Sequence, residues 1–266
     1  MLLKDIIAVA RNARYLPSVF DPSESTSPKF RNTFSEDRFI PGAVVKATHL
    51  LKAGLAGHGK RDLSGADVYS IGEYPDSNEV WIYVNGICTE RALATFNAEC
   101  LSFMFKSNIT VVHNPTRGIV ADLAESVFER TFDQTCTVST DLYAEVLGAL
   151  LDGKKVRVIG HSQGGIIANR MLRLACALET SLFGNLEVYT FASAADEHVN
   201  LEGVYQEHFA NDEDFVSRVG ILDLGQKADV YVREGVGHLL NRDYLEHLAT
   251  GRFCGKKSRL YQLVSL

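Results

Sequence analysis

Hydrophobic and polar positions along this chain fall into two patterns that alternate. Short β-branched or aromatic runs at Asp67–Gly72, Glu79–Val84, Ile109–His113, Lys155–Ile159, Leu186–Ala192, Glu207–Asn211 and Asp229–Val232 predict strands. Apolar residues at helical spacing predict helices over Leu2–Tyr15, Val44–Leu55, Ala92–Phe105, Ile119–Phe132, Asp141–Leu151 and Ile166–Ala175. Strands alternating with helices imply right-handed crossovers and an α/β fold, a mostly parallel central sheet with helices on both faces. Pro17, Pro22 and Pro28 make Leu16–Pro41 an irregular connection. The expected organisation is therefore an N-terminal helical extension, residues 1–60, packed on a main domain, residues 61–266. Its first helix reads as a packing element in preference to a membrane-surface anchor. Residues Arg259 to Leu266 either add an edge strand or lie on the surface.

One junction of strand and helix stands out. Gly160-His161-Ser162-Gln163-Gly164-Gly165 joins the Lys155 strand to the Ile166 helix. Gly-x-Ser-x-Gly by itself occurs by chance in about one chain in ten of this length. Its position between a β-branched strand and an amphipathic helix is the context that a nucleophile elbow requires. The turn is so tight that the serine is strained and its neighbours two residues away can carry almost no side chain. The alternative is an ordinary glycine-rich turn with a capping serine.

A serine hydroxyl is a weak nucleophile at neutral pH, so Ser162 needs a base and a carboxylate to orient that base. On a parallel sheet of this kind they follow in the order serine, acid, histidine, on loops after later strands. His238, in the glycine-rich loop Gly235-Val236-Gly237-His238 directly after the last strand, is the first candidate base and His247 the second. His208 lies inside a strand and His198 follows the strand next to the elbow, so both read as structural. For the acid, Asp212 and Asp214 follow the preceding strand, and Asp196 follows the one before it. Acyl transfer also needs two N–H donors for the oxyanion. Gln163, in the first turn of the elbow helix, offers one. Ile87, after Asn85-Gly86 at the end of the Trp81 strand, offers the other. The roles of His161 and Cys88 stay open.

Composition narrows the partners. With 266 residues, 46% of them hydrophobic, 23% charged and a net charge of −6, the chain is an ordinary globular domain with no basic footprint for nucleic acid. Five cysteines lie far apart without Cys-x-x-Cys spacing or a histidine-rich cluster. Neither a disulfide framework nor a zinc site is expected. The charged N-terminus is a poor signal peptide, and no segment suits a transmembrane span, so a cytoplasmic location is expected.

With these residues in place, the chain resembles the α/β-hydrolase superfamily and, within it, lipase-like serine hydrolases. The elbow resembles the Gly-His-Ser-x-Gly-Gly of class 3 lipases. Glu187-Val188-Tyr189-Thr190-Phe191 is similar to their next strand. Asn211-Asp212-Glu213-Asp214-Phe215-Val216 is similar to their Asn-x-x-Asp-Ile-Val, whose aspartate is the catalytic acid, and that likeness selects Asp214. Asn85-Gly86-Ile87 and Gly237-His238-Leu239-Leu240-Asn241 are similar to segments of other lipase-like hydrolases. The resemblance runs from Val80 to Leu248. Ala192-Ser193-Ala194-Ala195-Asp196 stands where class 3 lipases have Gly-x-Pro-Arg, which points away from a secreted triglyceride lipase.

The expectation is a serine hydrolase for carboxylic esters: Ser162 as nucleophile, His238 as base, Asp214 as acid, Gln163 and Ile87 N–H as the oxyanion hole, and no metal or cofactor. Ile119 and Leu123 either line an acyl pocket or fill the core. Substrates are small-molecule esters or lipids, and a homo-oligomer is left open. An acyltransferase or thioesterase would use the same triad, and an inactive relative would serve as a binding module.

Overall fold

The computed structural model describes residues 7–8, 10–15, 34–36, 66–86, 89–114, 136–177, 180–227, 229–253 and 257–266. Most of the 1–60 extension, the Val44–Leu55 and Ile119–Phe132 helices, Ile87, Cys88, Ile119 and Leu123 lie outside these residues.

Seven strands form one sheet: β1 (Asp67–Ile71), β2 (Glu79–Val84), β3 (Ile109–His113), β4 (Lys155–His161), β5 (Leu186–Phe191), β6 (Tyr205–Asn211) and β7 (Val230–Arg233), in spatial order β1-β3-β2-β4-β5-β6-β7. All neighbours pair in parallel except β1, which runs antiparallel to β3 at the edge. The chain steps outward from β2 to β3 and then crosses back to β4. The carboxyl ends of β2 and β4 therefore flank a topological switch point, where open α/β sheets form their binding crevice.

Alternation along the strands serves two cores, because successive side chains point to opposite faces. Trp81 and Tyr83 face helix α1 (Arg91–Phe105), with Leu101, Met104 and Ile159 in the same cluster. Ile82 and Val84 face the other layer, formed by α2 (Cys136–Leu151) and α3 (Gln163–Ala175), with Leu142, Val158 and Met171. Burial on both faces explains why the central strands read as continuous apolar runs.

Residues 259–266 contribute a short helix over Arg259–Gln262 instead of an edge strand. The cause is a carboxylate. Buried Glu207 on β6 accepts from Ser258 Oγ at 2.8 Å and from the Arg259 and Leu260 N–H groups at 2.7 and 3.2 Å, so it satisfies the free donors of that helix's first turn. Glu187 on β5 binds Lys155, Arg157 and Arg259. Burial works to raise the Glu187 carboxyl, but hydrogen bonds from those three cations and Tyr189 hold it at about 2.

At the other end of the chain, Ala8 packs with Ile166, Ala194 and Phe215, and Arg218 donates to Tyr15 OH at 3.0 Å. Among the described residues no helix is long and apolar enough to cross a membrane.

Candidate active site

Ser162 lies where β4 passes into α3, with φ 57° and ψ −119°. Left-handed backbone is costly for a residue with a Cβ, so other contacts must hold it. They do: Ser162 N–H donates to Phe191 O at 2.9 Å, and Ser162 O accepts from Gly165 N–H at 3.0 Å and Ala194 N–H at 3.1 Å. The elbow glycines are required for space. A Cβ on Gly160 would meet Gly164 O at 2.7 Å, and one on Gly164 would run into the Val84 carbonyl. Gly86, after β2, is pressed against the serine: a Cβ there would lie 2.6 Å from Ser162 Cβ.

His238 follows β7 on the loop expected for it, and its Nε2 lies 3.0 Å from Ser162 Oγ. Its Nδ1 lies 2.9 Å from Asp214 Oδ2 and 3.1 Å from Oδ1. Asp214 sits just past β6 and caps the short helix α4 (Phe215–Val219), its Oδ1 accepting from Val216 N–H at 2.9 Å. Burial works to raise the Asp214 carboxyl, but His238, Tyr244 and the Val216 N–H together bring it below the ordinary value. An ionised carboxylate only accepts, so Nδ1 carries the ring proton and the Nε2 lone pair faces the serine hydroxyl. The structure thus brings Ser162, Asp214 and His238 into one buried chain of hydrogen bonds.

The other candidates lie elsewhere. Asp212 accepts from Gly235 N–H at 2.9 Å and so shapes the His238 loop. Asp196 sits in a half-buried bend. Thr190 Oγ1 lies 2.7 Å from His208 Nδ1, and the His208 ring packs edge-on to His198. His247 meets Arg252. Gln163 opens α3 immediately after the serine.

Two neighbours escaped the sequence reading, and the role of a third, His161, stayed open there. Tyr244, on the π-helical turn Leu240–Leu245, places its hydroxyl 2.6 Å from Asp214 Oδ2. Burial keeps that phenol protonated by pushing its pKa well up, so it donates. Five residues separate it from His238, most of them in that turn, a spacing with no signature in the sequence. Ser217 Oγ reaches the same carboxylate oxygen at 3.1 Å, and Ser217, three residues after the capping Asp214, was the more findable of the two. His161 has its Nε2 2.8 Å from His238 O. Burial, reinforced by the neighbouring His238, lowers the His161 pKa to about 3, so the ring is neutral. Its Nε2–H therefore donates to that carbonyl and pins the backbone of the base. Among the described residues no group of three His, Cys, Asp or Glu side chains is placed to hold a metal ion.

Solved structures with a similar fold include XC6422 from Xanthomonas campestris, an α/β serine hydrolase without a lid. It is 18% identical over 65% of this chain and 80% of its own, with a TM-score of 0.42. A hyperthermophilic esterase from Pyrobaculum calidifontis is 13% identical over 81% and 90% of the two chains, with a TM-score of 0.46. No curated protein matches the sequence. Residues 79–225, from the start of β2 to beyond α4, match the family described as "Putative serine esterase (DUF676)", a segment that includes Ser162 and Asp214 and stops short of His238. With more than half of its length matched and an α/β-hydrolase sheet beneath the elbow, the chain belongs to this serine esterase family.

Proposed function

We propose that the chain hydrolyses carboxylic esters through an acyl-enzyme on Ser162. The observation that carries this reading is the unbroken run from Ser162 Oγ through His238 to Asp214, with both hydrogen bonds at 3.0 Å or less. As Oγ attacks the ester carbonyl carbon, His238 Nε2 takes its proton, and Asp214 holds the imidazolium that forms. Charge moves onto the carbonyl oxygen, where the N–H of Gln163 at the α3 N-terminus and that of Ile87 would receive it. Collapse of the tetrahedral intermediate breaks the bond to the alkoxy group, which leaves as the alcohol with the proton from His238. Water then adds to the acyl carbon, gives its proton to His238, and the acid departs as Ser162 regains its hydrogen. A small-molecule ester or lipid is the substrate class, with Ile119 and Leu123 assigned to the acyl chain.

A fluorophosphonate probe tests this directly. Wild type is expected to label and to hydrolyse nitrophenyl esters, and Ser162→Ala to do neither while melting as wild type does. A folded wild type that refuses the probe overturns the reading.

A further inference from the structure

Three buried side-chain amides, on three different segments, meet beside the Ser162 elbow. Asn85 follows β2, Asn114 follows β3, and Gln163 opens α3; all are within 8% of full burial. Asn85 Oδ1 accepts from Asn114 N–H at 2.8 Å, and Asn85 Nδ2 donates to Asn114 O at 3.0 Å and to Gly86 O at 2.8 Å. The Asn85 side chain thus makes an extra rung with the Asn114 backbone beyond the last β2–β3 pair, Val84 with Val112. Asn114 then uses its own side chain, Nδ2 donating to Gln163 Oε1 at 2.6 Å. One residue earlier, His113 Nε2–H donates to Thr89 O at 3.0 Å, so the end of β3 also grips the segment after Gly86 at a second point.

Packing does not account for this arrangement. In the sheet β2 stands between β3 and β4, so the contact between Asn114 and Gln163 reaches across a whole strand. Apolar residues would fill the same space without the cost of burying amides, whereas amides impose direction. What they direct is the backbone on either side of Ser162: Gly86, pressed against the serine Cβ, and Gln163, whose N–H begins the helix.

We propose that Asn114 is a positioning residue for oxyanion binding, acting through Gln163 on one side and through Asn85 and Gly86 on the other. This rests on the acyl-enzyme reading of Ser162. An N–H donor stabilises the developing oxyanion only if it is already fixed at hydrogen-bond distance from where the charge appears. Holding Gln163 Oε1 fixes the residue that carries that donor and keeps its long side chain out of the anion's place. Loss of a whole oxyanion donor costs about 100- to 1000-fold in kcat, so loss of its support should cost less, about 10- to 30-fold.

The test compares Asn114→Ala, Gln163→Ala and the double variant on a nitrophenyl ester, with labelling by fluorophosphonate and melting temperatures alongside. Gln163→Ala breaks the same contact from the helix and keeps the backbone N–H, so it serves if Asn114→Ala does not fold. Each single variant is expected to lose kcat about 10- to 30-fold with KM within about twofold, the acid limb of the pH profile unmoved, and the double variant no worse than the poorer single one. Unchanged kcat in the single variants, losses that multiply in the double, or losses carried by KM would overturn the proposal. Wild type that neither labels nor turns over would instead remove the acyl-enzyme reading itself, so the two failures are distinguishable.

Discussion

The Asp214 carboxylate spreads its charge over four donors: His238 Nδ1–H, the Val216 N–H, the Tyr244 hydroxyl and Ser217 Oγ. Of these, the phenol makes the shortest contact, at 2.6 Å. Hydrogen bonds to ionised groups are roughly twice as strong as neutral ones. Tyr244→Phe would remove the shortest of these contacts and loosen the carboxylate that orients the His238 ring. The expected outcome is a fall in kcat of about threefold to tenfold with little change in KM, read from turnover of a nitrophenyl ester. Ser162 and His238 were legible in the sequence because each carries a local signature: glycines that only a tight turn requires, and a histidine after the last strand. The choice between Asp212 and Asp214 had no such mark and came from resemblance. Tyr244 and Asn114 were invisible and the role of His161 stayed open, because a contact between distant segments leaves no periodicity in either one.

At the level of elements, the site is a set of strand ends brought to one crevice, and the spacing between those ends is tight enough to be tested. Gly86 has no positive φ, so its backbone would accept alanine; the proximity of Ser162 and of the His161 carbonyl is what forbids it. A Gly86→Ala variant is expected to fold, since the displacement is confined to the end of β2. It should lose kcat on a nitrophenyl ester by about 100-fold, because a misplacement of about 1 Å at reacting atoms has that cost. Undiminished turnover would show that the loop after β2 has room to spare. The central strands β2 to β5 were read well from sequence because most of their residues are buried on both faces. The short Arg259–Gln262 helix was missed because its cause, Glu207, lies some fifty residues away in the chain.

Across the whole molecule, charge burial decides how stability varies with pH. Glu36, 1% exposed, approaches the Arg242 N–H on the turn that carries Tyr244. Burial, with the nearby charge of Asp243, raises its pKa from 4.5 to about 8. The folded chain therefore keeps a proton that the unfolded chain releases near pH 4.5, and stability from this group falls as pH rises towards 8. Glu36→Gln, which carries no charge to bury, should flatten the fall in melting temperature between about pH 5 and about pH 9. A wild-type slope that persists in the variant would rule Glu36 out as its source. Glu187 has the opposite sign: its depressed pKa adds stability above pH 4.5 that is lost as pH falls towards 2. The contacts of Glu187 and Glu207 with residues 258–260 also impose an order of events. A chain emerging from the ribosome completes β5 and β6 before Ser258 and Arg259 exist, and during that interval two carboxylates destined for burial lack part of their partner set. The full partner set of those two carboxylates therefore waits for residues 258–260, and closure of that side of the sheet is a late event in the life of the chain.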